Sequence, residues 1–256
     1  MQRQTLVPIH YYMRGRDPSR TSVLDLACGT GRFLTFLKDN YPSARTYGVD
    51  LSPNYLKAAE ENMDYFERFD MQVNGFRKLS RPRYIQASAE SLPFGDRSLD
   101  VVTCVYLFHE LPPEARRAAI AEVSRVLEPG GIFVWTDSLQ EGDRPESAPV
   151  AALFRALFHE PYFASFLRAD FEGMCAAAGL AHEATILAHL SKASVLMFQG
   201  SITIIYKLLS CFHIRRAADL RNGWGTSLFA ITSVHLVNVN ELDGSDLICQ
   251  ISYQRS

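Results

Sequence analysis

The 256-residue chain has no apolar run approaching the roughly 20 residues that a membrane-crossing helix needs. It has no dominant charge either. Against 28 acidic side chains stand 26 basic ones, and a formal net charge of -2 is too small a field of either sign to mark nucleic acid as the main partner. Five cysteines, Cys28, Cys104, Cys175, Cys211 and Cys249, lie far apart with no C-x-x-C pair, which argues against a zinc ribbon and a disulfide framework. The N-terminal stretch lacks the continuous apolar core of a secretory signal, so a reducing, cytoplasmic setting is the default. Arg3, Arg14 and Arg16, with no acid before Asp17, keep an organellar (plastid or mitochondrial) transit segment open. Neither an internal repeat nor a low-complexity tract is present. Hydrophobic residues at 47% and charged residues at 21% exclude a largely disordered chain.

What is there alternates between strand-like and helix-like segments. Val23-Leu24-Asp25-Leu26-Ala27 is a short apolar run with one acid; Cys28-Gly29-Thr30-Gly31 is a turn; Arg32 to Lys38 has helical spacing. A second strand fits Thr46 to Asp50. Ser52 as N-cap and Pro53 at the first position open a helix expected to run to about Phe69. Further strands are expected at Arg83 to Ala87, Leu99 to Leu107 and Ile132 to Thr136, with a helix over Pro113 to Leu127. The alternation predicts an α/β fold with a doubly wound, mainly parallel sheet. The polar stretch from Asp137 to Pro149 reads as a mobile loop, and two helices are expected at Val150 to about His159 and Phe163 to Ala178. Glu183 to His189 and Ser194 to Phe198 read as a closing pair of strands, the antiparallel edge. After Gly200 the character changes, with an apolar stretch at Ile202 to Ile214 and a hairpin expected between Ala230 to Val239 and Leu247 to Tyr253.

The chemistry starts at the glycine turn. Gly29 and Gly31 allow the backbone to bend sharply after a strand and to approach a ligand closely. The carboxyl end of a strand in an open α/β sheet is where ligands bind. The third glycine of a dinucleotide fingerprint would fall at 34, where this chain has Leu34, which argues against pyrophosphate on the helix N-terminus. Asp25, inside the strand, suits a cationic or amine-bearing ligand. Asp50, 19 residues after Gly31 at the end of the second strand, suits a bidentate bond to a ribose diol or, alternatively, an acid favoured by the dipole of the helix after Ser52. Beside the glycine turn the ribose reading is favoured.

Val23 to Phe33 resembles motif I of the class I S-adenosylmethionine (SAM)-dependent methyltransferases. Gly48-Val49-Asp50-Leu51-Ser52 resembles their second motif, Ala87 to Phe94 with Ser98 to Val102 their third block, and Glu122 to Gly131 the helix and turn before the fifth strand. The match runs over residues 20 to 138, more loosely to 199, and is closest to the type 11 or ubiquinone/menaquinone-biosynthesis methyltransferases. The resemblance implies a Rossmann-like, seven-stranded sheet in residues 1–199, with 200–256 as a C-terminal extension of unknown role. It implies SAM as cofactor. Asp25 would hold the methionine amino group; Ala27, Gly29 and Gly31 would line the methionine and ribose; Asp50 would bind the ribose hydroxyls; Leu51 would lie against adenine; Ser88 and Ala89 would meet the adenine edge; Val105 would border the methyl group. The family often has Asp where Ser88 stands, so the adenine amino group would lose a charge-assisted bond. Only about 20 residues precede motif I, so the helical lid of relatives is expected to be incomplete.

His109, after the fourth strand, suits a base that deprotonates a substrate hydroxyl, or else a residue that shapes the loop with Glu110. His159, Tyr162 and Phe163, with Phe166, suit a sandwich around a planar or prenyl substrate, or else the core faces of two helices. His182, His189, His213 and His235 follow no ligand spacing, so no metal is expected. The expected partner is a small-molecule methyl acceptor, with neither nucleic acid nor stable membrane insertion. A dehydrogenase would want the third glycine and a Tyr-x-x-x-Lys pair, which Tyr162 and Phe166 do not supply. The other reading is a degenerate methyltransferase fold that binds or assembles without catalysis.

Overall fold

The computed structural model describes residues 2–76, 78–147, 149–150, 153, 160–199, 233–236 and 249–252. Its central sheet has seven strands: β1 (Ser22–Leu26), β2 (Arg45–Asp50), β3 (Arg83–Gln86), β4 (Leu99–Val105), β5 (Leu127–Ser138), β6 (Leu180–Ala188) and β7 (Ser191–Phe198), in the order β3-β2-β1-β4-β5-β7-β6. The first five are parallel; β7 runs antiparallel to both β5 and β6, and β6 forms the edge. The expected mainly parallel sheet with an antiparallel edge is what forms. Among the described residues four longer helices flank it: α1 (Leu6–Met13), α2 (Arg32–Asn40), α3 (Pro53–Asn74) and α4 (Pro113–Val126). Two short helices, Phe163–Leu167 and Phe171–Ala177, precede β6. The strands β8 (Ser233–Leu236) and β9 (Cys249–Ser252) pair antiparallel, as expected for the hairpin.

Strand alternation divides the core in two. Leu24, Val102, Phe133 and Trp135 face one side with α4 and the aromatic cluster Phe108, Phe163, Phe166 and Phe171. Val23, Val101 and Val134 face the other with Phe33, Leu34 and Leu37 of α2. Each such side chain, removed from water, contributes about 1.5–3 kcal/mol.

Several boundaries differ from those expected. The helix α3 runs past Phe69 to Asn74 because Asp70 is buried and accepts a bond from the Asn74 amide one turn on. The strand β5 starts at Leu127, directly after α4. Leu99 pairs with Leu127 but Val101 with Ile132, so Glu128 to Gly131 form a bulge rather than a loop. The segment before β1 packs against the sheet: Thr5 and Ile9 are fully buried, and Ile9, Tyr12 and Met13 of α1 lie in the second core.

The expectation of a mobile loop from Asp137 is corrected. Asp137 and Ser138 complete β5, and the residues after them are tied down. Leu139 donates to the Leu190 carbonyl, Glu141 to that of Leu167, and the Gln140 amide to Phe166 and Ala169. Lys192 pairs with Asp143 at 3.0 Å. The expected helix ending at His159 lies largely outside the described residues.

Candidate active site

The chain runs from β1 outward to β3, then crosses back to β4 on the other side of β1. The crevice at the carboxyl ends of β1 and β4 is therefore the switch point of the sheet. Both strands end there in backbone that side chains rarely adopt: Ala27 has φ of 54° and Tyr106 of 60°. The expected fourth strand stops at Val105 for that reason. The Tyr106 N–H still reaches the Thr136 carbonyl at 2.8 Å, and its hydroxyl lies 2.8 Å from Ser191 Oγ.

The glycine turn is clamped onto β2. The Asp50 carboxylate accepts from the Gly29 N–H through Oδ2 and from the Ser52 N–H through Oδ1, each at 2.9 Å. Asp50 thus orders the turn and the start of α3, and its oxygens keep lone pairs for a further donor. The two glycines differ. At Gly29 (φ 52°) a Cβ would meet nothing within 4 Å, so the turn faces open space. At Gly31 (φ 71°) a Cβ would sit 2.8 Å from that of Ala59, so glycine is needed there to let α3 pack close. Leu51 is 69% exposed beside the turn.

Asp25 lies opposite Thr103 in the β1–β4 register, which places both side chains on one face, and the Thr103 hydroxyl donates to its carboxylate at 2.8 Å. It is buried. Burial is the largest influence on its carboxyl and the charge of Asp50 adds to it; against the opposing bond from Thr103 they push the pKa up to about 7.

The half-buried Ser88 accepts from the Glu90 N–H at 3.2 Å, and Ala89 packs against the first core. The loop they begin is fixed from α4. Glu122 accepts the Leu92 N–H at 2.7 Å, while Arg125 binds Glu122, Asp96 and the carbonyls of Leu92 and Phe94. Two residues of the motif from 122 to 131, Glu122 and Arg125, therefore hold the third block. Val105 is half-buried at the end of β4.

His109 is brought to a partner that the sequence reading missed. Its Nδ1 lies 2.7 Å from Asp137 Oδ1, and its backbone N–H reaches Asp137 Oδ2 at 3.3 Å. The Ser138 N–H also donates to Oδ1, at 2.7 Å. Asp137 is fully buried, and the period of two along Phe133, Trp135 and Asp137 was the available signal for it. Burial alone would lower the His109 pKa. The Asp137 bond and charge, with the charges of Glu110 and Glu160, outweigh it and raise the pKa above its ordinary value. The Phe163 and Phe166 rings stand edge-on to the imidazole at 6.2 and 6.1 Å. Phe163 is buried, so it walls the imidazole rather than offering a free face; Tyr162 is 38% exposed. His159 lies outside the described residues. Buried Arg116 on α4 donates to the carbonyls of Phe108 and Tyr162 and to Ser165 Oγ, locking the His109 segment to the helix that follows Tyr162. Among the described residues no three His, Cys, Asp or Glu side chains cluster as a metal would need, and no helix is long and apolar enough to cross a membrane.

A family model described as a methyltransferase domain matches residues 23–131. An uncharacterised methyltransferase of Synechocystis is 34% identical over 139 residues, 53% of this chain and 55% of that protein. A demethylmenaquinone methyltransferase of Deinococcus radiodurans is 35% identical over 136 residues, 53% of this chain and 49% of that protein. The chain thus spans about half the length of these curated relatives. The solved structure of a SAM-dependent methyltransferase from Methanosarcina mazei shares the fold, with a TM-score of 0.58 over 76% of this chain and 98% of that one, at 16% identity. Residues 23–131 are thus similar to a methyltransferase domain, and the sheet around them has the fold of solved SAM-dependent methyltransferases.

Proposed function

We propose that the protein moves a methyl group from SAM to a small, lipophilic or aromatic acceptor by in-line displacement. The observation that carries this reading is the Asp50 clamp, with both oxygens anchored on backbone N–H groups beside open space at Gly29 and exposed Leu51. That cradle fits a nucleoside: Asp50 takes the ribose hydroxyls, Leu51 an adenine face, and Ser88 with the Ala89 backbone its edge. Asp25 takes the methionine ammonium, with Ala27, Gly29 and Gly31 supplying the bend. The methyl sulfonium is already activated when bound, so the protein's task is placement and exclusion of water. Apolar Val105 suits the neighbourhood of a charge that vanishes on transfer. The acceptor class rests on relatives whose names place them in menaquinone and ubiquinone synthesis. Residues 1–199 would suffice, with 200–256 an appendage. A non-catalytic binding subunit is the second reading, favoured by Ser88, whose oxygen is already engaged by Glu90. Methyl-labelled SAM incubated with a panel of reduced naphthoquinones decides between them: label in an organic-extractable product is expected, and SAM binding without any transfer would favour the second reading.

A further inference from the structure

We propose that the amino end of the sheet is a docking face for an anionic lipid bilayer, with the overhanging end of α3 as its apolar prong.

The prong follows from a mismatch of lengths. At 22 residues α3 is about 33 Å long. The strands beneath it, β2 and β3, have six and four residues and span only about 13–20 Å. The helix starts at the carboxyl end of β2 and returns to the start of β3, so its surplus projects beyond the amino end of the sheet. Ala59 and Met63 are buried, Phe66 packs on the second core, and Asp70 is the last buried side chain of the helix. From Met71 to Phe76 every residue is exposed. A helix end resting on the protein would bury its apolar residues on the side of contact. Here Phe69, Met71, Val73 and Phe76 are all more than half exposed, Phe76 at 90%. With about 100° between successive residues, Met71 stands on the opposite side of the helix from Phe69 and Val73.

The surroundings are basic. Residues 68–83 hold five basic side chains, Arg68, Arg77, Lys78, Arg81 and Arg83, and a single acid, Asp70, in a chain whose formal net charge is -2. Asp70 is turned inward, where it accepts from the Asn74 amide. Asp64 and Glu67 hold Arg81, while among the described residues Arg68, Lys78 and Arg83 have no ion pair. The basic surface continues along the same end of the sheet. The Ser80 N–H donates to the Pro42 carbonyl at 2.8 Å, which lays the loop after α3 against the connection from α2 to β2. Arg45, at the start of β2, donates to the Arg20 carbonyl at 2.7 Å, so two more exposed cations stand at the entries of β1 and β2.

The two chemistries together select the partner. Apolar side chains that project on more than one side suit a fluid that closes around them, whereas a folded protein would meet one side only. Six residues are also far fewer than the roughly 20–30 that each side of a stable protein interface contributes. Exposed cations around an apolar tip match acidic lipid headgroups, with Met71, Val73 and Phe76 entering the acyl boundary. The bilayer is touched rather than crossed, since no helix among the described residues is long and apolar enough to span it. The Asp50 cradle lies at the carboxyl end of β2 and faces away from the lipid, so docking requires nothing of it.

The full chain is sedimented with phosphatidylcholine vesicles that contain either no phosphatidylglycerol or about one-third of it. Co-sedimentation is expected with the acidic vesicles only, and it should be lost as salt shortens the screening length from about 10 Å to about 3 Å. Phe76→Ser should weaken binding about tenfold or more, the scale of an aromatic side chain left in water. Lys78→Glu should weaken it by a similar factor, as a cation near the surface is replaced by an anion. Leu190→Ser, at an exposed turn on the opposite end of the sheet, should leave it unchanged. Phe76→Trp should keep binding and gain a blue-shifted emission on acidic vesicles that the wild type does not show; this signal decides even if Phe76→Ser does not fold. No binding of the wild type to acidic vesicles overturns the proposal. So does binding that survives both Phe76→Ser and Lys78→Glu, which would place the lipid contact elsewhere in the chain. A lipid-free dimer that Phe76→Ser breaks would give the prong to a second copy. Tighter binding to duplex RNA than to acidic vesicles would give the face to nucleic acid, and either result overturns the proposal.

Discussion

Replacing Asp25 by Asn probes the cost of keeping an acid inside the sheet. The side chain is fully buried, and its carboxyl titrates at about 7 against an ordinary value of 3.8, with burial as the main cause. The folded state therefore holds a proton that the unfolded state has released over the window between those values. Stability falls as pH rises through it, the opposite sign from an acid held by a cation. Each unit corresponds to about 1.4 kcal/mol, so the penalty is small near pH 4 and reaches about 4 kcal/mol above pH 8. Asparagine keeps the shape and can still accept from Thr103, but it does not ionise. Its two N–H donors need partners, which costs about 1–3 kcal/mol at every pH. The effect of Asp25→Asn on urea-unfolding free energy should thus become about 2–3 kcal/mol more favourable between pH 5 and pH 8. The same variant should bind SAM more weakly, since the amide cannot neutralise an ammonium group. An effect on stability that is equal at the two pH values would refute the reasoning, because it would mean that Asp25 is not the group carrying the proton.

Binding of an ammonium group beside Asp25 should also pull its pKa down and release a fraction of a proton near pH 7, read as a dependence of the calorimetric binding enthalpy on the ionisation enthalpy of the buffer. The two glycines of the turn should separate in their effects. Gly31→Ala meets Ala59 at 2.8 Å and should destabilise the fold, whereas Gly29→Val should cost mainly cofactor affinity, by entering open space, along with about 1 kcal/mol or more of backbone strain. Unfolding curves and SAM titrations on both variants check this. A chain ending at Gly200 should remain folded and bind SAM, since the seven strands close at Phe198; precipitation or loss of the cofactor would place 200–256 in the core.

The parts that were legible in the sequence are those set by local chemistry. A strand, a glycine turn and a helix announce themselves between Val23 and Lys38, and Ser52-Pro53 opens α3 with the Ser52 oxygen accepting from the Tyr55 N–H. What escaped depends on tertiary contact. The polar residues after Thr136 read as loop, yet Asp137 sits in β5 because its register carries it back under His109. No local rule places Tyr106 in left-handed backbone; the Thr136 carbonyl and Ser191 hold it there. That a Cβ at Gly31 would meet Ala59, a packing reason for glycine beside the expected ligand-lining one, is likewise invisible to local rules. Nor does any local pattern show that the residues before β1 pack in the core, with Thr5 bonded to Thr136 at 2.8 Å.

The central claim is that the Asp50 clamp is a cofactor site, and isothermal titration of the full chain with SAM tests it most directly. The account predicts binding at about 1:1, weakened by roughly 1.5–3 kcal/mol in Asp50→Ala, the scale of hydrogen bonds to a charged group. No binding by the wild type, or the same affinity in Asp50→Ala, would contradict it.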